Sequence, residues 1–160
     1  MNDIPLQDNA IKSLLVPMQQ TPLLLPLACL AEVIDYFRPF DQADTNSWHL
    51  GSVDWRGTQI PLVSFERFNE TDFSPLASTS RIAVINKTTE EGKFGFYGVV
   101  IQGIPQPLRL TRGDVFPSDD ELGPAEVTRM VVKEISVMIP DLEELEVQLS
   151  ELDSEHAAAP

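Results

Sequence analysis

The sequence predicts a mainly β fold made of small barrels and closed by one C-terminal helix. Three observations carry that expectation. Short apolar runs recur along the chain, each bounded by Gly, Pro or polar turn formers, which is the pattern of short strands joined by tight connections. Within residues 52–55, Val53 and Trp55 alternate with Ser52 and Asp54, the period of two that buries one strand face. An extended helical spacing comes only near the end, at Leu142, Leu145, Leu149 and Leu152. Many strands followed by one helix argue for small barrels rather than a parallel sheet wrapped in helices.

Taken in order, residues 11–18 read as a first strand ending at Pro17. Residues 19–22 are turn-like, and Leu23, Leu24 and Leu25 begin a second extended run that Pro26 interrupts. Residues 27–37 carry both signals: Leu27, Leu30, Ala31 and Ile34 fall at helical spacing, while Val33, Ile34, Tyr36 and Phe37 favour strand. The expectation is a short helical turn entering a strand. Residues 39–47 form a polar loop.

A hairpin follows, with apolar runs at residues 50–55 and 60–65 around a polar hinge, Arg56-Gly57-Thr58-Gln59. Gly57 supplies the positive φ of a tight turn. Pro61 lacks an N–H, so its strand should lie at a sheet edge or carry a bulge there. Residues 66–69 suit a helical turn, 70–80 a loop, 81–86 a strand, 87–92 a turn and 93–101 the returning strand. Glycines at 92, 95 and 98 in that region mark bulges, corners or close backbone approach. Pro105 and Pro107 should stop regular pairing before residues 108–111. An acidic loop covers 117–125, and Val131-Val132 and Val137-Met138-Ile139 centre two last strands. Asp141 can cap the final helix.

A chain of 160 residues suits one domain, with room for two small subdomains sharing a core. The expected boundaries are residues 11–152, with 1–10 and 153–160 as flexible tails. No run of about 18 apolar residues and no basic-then-apolar N-terminus is present, so neither a membrane span nor a signal peptide is expected. Cys29 is the lone cysteine. It fits a reducing, cytoplasmic setting and reads as a small buried residue rather than a nucleophile. A net charge of −14 argues against nucleic acid and anionic membrane surfaces as partners.

The search for chemistry yields little. His49, His156 and Cys29 make no zinc spacing, and Gly92, Gly95, Gly98 and Gly103 match no phosphate-binding fingerprint. Carboxylates are abundant, but abundance does not make a paired acid and base. The expectation is no catalytic residue, no cofactor and no metal.

The residues Gly51-Ser52-Val53-Asp54-Trp55-Arg56-Gly57, followed by Ile60-Pro61-Leu62-Val63-Ser64-Phe65, resemble the hairpin signature of CheW-like domains. The phrase Leu25-Pro26-Leu27-Ala28-Cys29-Leu30-Ala31-Glu32-Val33-Ile34 is similar to that family's early strands, and the likeness extends over residues 12–152. Trp48 upstream and Ser64-Phe65-Glu66 downstream make the hairpin resemble the ChpC-type members found with pilus, or twitching, chemosensory systems. Two positions depart from the pattern: Gln102 stands where Asp is usual, and Arg129-Met130 where Gly is frequent.

The resemblance implies two five-stranded SH3-like subdomains packed together, with the terminal helix returning to the first. It implies a cytoplasmic adaptor that joins a methyl-accepting chemoreceptor to a CheA-type histidine kinase, recruited to membrane-associated arrays without inserting into the membrane. On the receptor side it points to Leu30, Glu32, Gly51, Arg56 and Gly57, with Glu32 and Arg56 ion-paired on neighbouring strands. Each has a plain reading too: core residue, ordered strand ends, strand-start glycine and turn glycine. On the kinase side it points to Phe94, Phe96 and Val99, on the strand pair assigned to the second subdomain.

From the alternation, Trp55 should point inward, leaving Trp48 as the surface aromatic. Two other readings stay open. One is a small-barrel enzyme or ligand-binding protein with its site near Asp54 and Arg56. The other is an orphan CheW-like protein with different partners.

Overall fold

The computed structural model describes residues 10–40, 47–73, 79–90 and 93–158. Among the described residues eleven strands form two sheets. Strands β1 (Ile11–Val16), β2 (Leu23–Pro26), β8 (Gln106–Leu110), β9 (Val115–Pro117), β10 (Glu126–Val132) and β11 (Ile135–Pro140) make a six-stranded sheet in the order β8-β1-β2-β11-β10-β9. The contiguous middle of the chain makes the other: β3 (Leu30–Asp35), β4 (His49–Trp55), β5 (Thr58–Val63), β6 (Arg81–Asn86) and β7 (Phe96–Ile101), in the order β3-β6-β7-β5-β4. The expected pair of small β subdomains is present, one with six strands rather than five. Pairing is antiparallel except where β11 meets β2 and β5 meets β7.

Side-chain alternation produces three cores. On β6 and β7, Ala83, Ile85, Tyr97, Val99 and Ile101 face a core shared with the other sheet, while Ile82, Val84 and Val100 face the interior of the five-stranded one. Both faces of these strands are dry, which explains why residues 82–85 and 99–101 read as continuous apolar runs. The shared core takes Leu14, Val16, Leu23 and Leu25 from the six-stranded sheet and Leu145 and Leu149 from the terminal helix. A third cluster, built on Leu24, Leu110, Val132 and Val137, belongs to the six-stranded sheet alone. Gly98 is required on β7 because a Cβ there would sit 2.9 Å from Ile82 Cγ2 and 3.0 Å from Leu62 Cδ1.

The expected short helical turn is a 3₁₀ turn at Leu27–Cys29 running into β3. Helix α1 (Phe65–Phe68) is capped by Ser64, whose hydroxyl accepts from the Arg67 N–H at 3.1 Å. Pro107 does not interrupt pairing as expected: it lies within β8, opposite Leu14. The reason is position, since β8 is an edge strand and needs no donor on its outer side. Strand β9 was hidden in sequence by its length of three residues. Residues 41–46 and 74–78, where parts of two loops were expected, lie outside the described residues.

Helix α2 (Leu142–Ala158) starts where Asp141 Oδ1 accepts the Glu144 N–H at 3.1 Å. It runs through residues 153–158, where a flexible tail was expected. Once nucleated, each further residue adds a hydrogen bond for little ordering, and Glu and Ala are good helix formers. Rather than returning to one subdomain, α2 lies over the seam. Its Leu145 and Leu149 enter the shared core, and Glu146 reaches the turn between β6 and β7.

Candidate partner-binding site

The hairpin of β4 and β5 turns on two residues only, because Trp55 pairs with Thr58. Arg56 (φ 51°) and Gly57 (φ 80°) both have positive φ, the form that matches the right-handed twist of a two-residue hairpin. Holding a non-glycine residue there costs about 1–2 kcal/mol. The barrel end therefore carries Arg56 at the tip of a two-residue turn.

Glu32 was expected beside Arg56 on a neighbouring strand. The pair forms, but β3 and β4 are the two opposite edges of the five-stranded sheet. The sheet curls until those edges meet, where Phe40 and Ser52 exchange backbone hydrogen bonds of 2.7 and 2.9 Å. Bulges near the start of each edge strand, between Leu30 and Glu32 and between His49 and Gly51, re-aim the side chains that follow.

Two hydrogen-bond donors and a further guanidinium nitrogen then converge on one oxygen. Trp55 Nε1 donates to Glu32 Oε1 at 2.9 Å, Arg56 Nε at 3.3 Å, and Arg56 Nη2 lies 3.2 Å away. The Arg56 guanidinium also covers the Trp55 ring at 5.1 Å, and that ring packs on Phe96 at 4.8 Å. Side-chain exposure is 72% for Arg56 and 38% for Glu32, so the pair faces solvent. Its geometry presents a fixed cation, a carboxylate and an indole together.

Of the other receptor-side residues, Gly57 is exposed at the turn, and Leu30 and Gly51 sit near the bulges. Gly51 is buried with φ 133°, and Leu30 is half-buried against the shared core. On the kinase side, Val99 is 5% exposed between the sheets, so it cannot offer a docking surface. Phe94 also packs on the shared core, half-buried, whereas Phe96 joins the Trp55 patch. The expected division also fails, because β6 and β7 belong to the same sheet as Glu32 and Arg56. Trp48 is half-buried, edge-on to Phe68 at 4.8 Å, and Trp55 is the aromatic at the site.

Among the described residues three glutamates are buried, Glu66, Glu126 and Glu146, and the last two hold networks that no sequence pattern marks. Glu146 accepts from the backbone and hydroxyl groups of Thr88 and Thr89 at 2.9–3.1 Å and from Tyr97 Oη at 2.8 Å. Burial, and then Glu146's charge and hydrogen bond, push the Tyr97 phenol far above its ordinary value, so it stays a donor. Burial and then Glu146's charge also raise the Cys29 thiol above its ordinary value, which favours the neutral thiol.

Glu126, the second carboxylate, accepts from Arg129 Nε at 2.7 Å, Asn69 Nδ2 at 2.8 Å and the Gly123 N–H at 2.9 Å. Burial alone would raise its pKa, but the hydrogen bonds of Arg129, Asn69 and Gly123 outweigh burial and hold it below the usual value. Both sites join distant parts of the fold. A periodic pattern cannot reveal them, since a glutamate on a helix or strand reads as solvated.

Gln102, at the departure from the family pattern, has a structural place as well. Its N–H donates to the Pro17 carbonyl at 2.8 Å and its Oε1 accepts from Ser80 at 3.3 Å, tying β7 to the end of β1. Among the described residues no group of His, Cys, Asp and Glu is arranged to hold a metal ion, and no helix is long and apolar enough to cross a membrane.

The site is thus an exposed ion pair beside an indole, at the end where the curled five-stranded sheet closes on itself. The CheW-like domain family model matches residues 12–148. The chain belongs to the CheW-like domain family. Among solved structures it is similar to the crystal structure of the scaffolding protein TtCheW from Thermoanaerobacter tengcongensis, with a TM-score of 0.68 at 12% identity over 89% of each chain. A comparison with curated proteins gave no match.

Proposed function

We propose that this chain is a cytoplasmic adaptor that couples a methyl-accepting chemoreceptor to a CheA-type histidine kinase. Membership of a scaffold family supports the reading. The observation that carries it for this chain is the Glu32, Trp55 and Arg56 constellation at the barrel end. Two hydrogen bonds and an ion-pair contact meet on one carboxylate oxygen, while Arg56 keeps most of its surface toward solvent. An exposed ion pair contributes only about 0–1 kcal/mol to stability, so stability gives little reason for such order. A guanidinium held in place loses less freedom when a partner carboxylate docks in bidentate fashion. Signalling would follow from changed geometry in the assembly, with no chemical step in this protein.

The finer assignment is a ChpC-type adaptor of a pilus, or twitching, system. It rests on the Trp48 and Trp55-Arg56-Gly57 form of the hairpin. The alternative of a ligand site at Asp54 and Arg56 is less well supported. Both side chains are exposed, and a Cβ on Gly57 would meet nothing within 4 Å, so the turn projects outward instead of lining a pocket. The test is co-purification with a cognate kinase and a receptor signalling tip, with Arg56→Glu beside the unmodified protein. Retention of both partners, with the receptor lost in Arg56→Glu, is expected. An unmodified protein that retains neither partner ends the adaptor reading.

A further inference from the structure

The concave side of the six-stranded sheet holds a cavity of about 700 Å³, on the sheet that does not carry Glu32 and Arg56. Only residues 111–114 separate the end of β8 from the start of β9, the sheet's two edges, so the sheet must curl around it. Its walls draw on all six strands, with Leu24, Leu110, Val115, Met130 and Ile139 supplying apolar surface. Ser13 adds one buried hydroxyl-bearing residue, and Arg112, exposed in the β8–β9 connection, also lines it. Among the described residues Arg112 has no carboxylate within ion-pair distance. A cavity of several hundred Å³ with apolar walls and few polar groups is the usual form of a small-ligand site, and barrel mouths are a usual place for one.

Charge decides what kind of ligand fits. The chain carries −14 overall, which repels anions and attracts cations. Arg112, a lining residue with no carboxylate partner among the described residues, supplies a charged donor there that suits a carboxylate head group. We propose that the six-stranded barrel binds an amphiphilic carboxylate, its acyl chain among Leu24, Met130 and Ile139 and its head on Arg112. This site is independent of the adaptor reading and shares no residue with the receptor-side constellation.

Titration of the full chain with dodecanoate, followed by amide chemical shifts, tests the proposal. Expected are saturable one-to-one binding, shifts confined to the strands that line the cavity, and weaker binding of dodecyltrimethylammonium. Arg112→Ala, at an exposed position, should weaken dodecanoate binding about tenfold, the size of one charge-assisted hydrogen bond. Met130→Trp should abolish it by filling the lumen, with the remaining amide spectrum confirming a folded chain. Non-saturable binding, equal binding of the cationic amphiphile, or unchanged affinity in both variants overturns the proposal. So does a result in which dodecanoate fails while Met130→Trp blocks capture of a protein partner, which would assign the cavity to a partner's side chain.

Discussion

Glu32 and Arg56 meet across the two free edges of the five-stranded sheet, not across neighbouring strands. The contact therefore depends on the curl of the whole sheet and on the Phe40–Ser52 bridge. It should separate stability from docking. Glu32→Ala and Arg56→Ala should each change unfolding free energy by no more than about 1 kcal/mol, because the pair is exposed and screened. Receptor capture should fall in both. A urea titration beside a capture assay checks this; a large stability loss in Arg56→Ala would make the pair a fold element.

Glu146 anchors α2 to the β6–β7 turn through uncharged donors alone among the described residues. Glu146→Gln replaces an acceptor-only group with an amide that cannot accept all of those bonds, leaving buried donors unmatched. A loss of about 2–4 kcal/mol is expected, against about 1–2 kcal/mol for Tyr97→Phe. Hydrogen exchange should show α2 losing protection before the central strands.

Asn69 and Gly123 are coupled by shape. A Cβ on Gly123 would overlap the Asn69 side-chain amide, which donates to Glu126 and accepts from the Ala125 N–H. Gly123→Ala should cost about 1–3 kcal/mol. In an Asn69→Ala background most of that added cost should vanish, a coupling that a double-mutant cycle reads directly.

Stability should fall on the acid side through Glu126. Its folded pKa lies below the ordinary carboxylate value, so its contribution is complete above the unfolded pKa and is lost as pH drops through the folded one. Glu66 acts with the opposite sign. Burial raises its pKa despite the hydrogen bond from the Gln19 N–H, so its cost grows as pH rises through the folded value. Urea midpoints between about pH 3 and pH 8 should show a flatter acid arm in Glu126→Gln and a gain near neutrality in Glu66→Gln.

The β10–β11 hairpin turns on Lys133 (φ 48°) and Glu134 (φ 71°), neither of them glycine. Glu134→Gly should raise stability by about 0.5–1 kcal/mol by relieving a positive φ. Thermal unfolding reads the gain.

Much of the architecture was legible because alternation and turn chemistry are local. The strand at Arg81–Asn86, the Arg56-Gly57 turn, the helical turn near residues 66–69 and the Asp141 cap all follow from neighbours in sequence. What stayed hidden depends on chain segments far apart. Val99 looked available until two sheets closed on it, and Pro107 looked disruptive until β8 proved to be an edge. The Glu32–Arg56 pairing came from resemblance, but its route across a curled sheet did not. Trp55, chosen as an inward residue, sits half-buried because its indole N–H has a partner at the surface.

The five-stranded sheet is made from one uninterrupted span, whereas the six-stranded sheet takes two strands from the beginning of the chain and four from the end. A polypeptide emerging from the ribosome thus holds everything needed to close the first once Ile101 is clear. At that moment β1 and β2 still lack their partners β8 and β11. Translation order favours an assembly order, and in the interval Leu24 lacks its core partners Leu110, Val132 and Val137, which are still to be made.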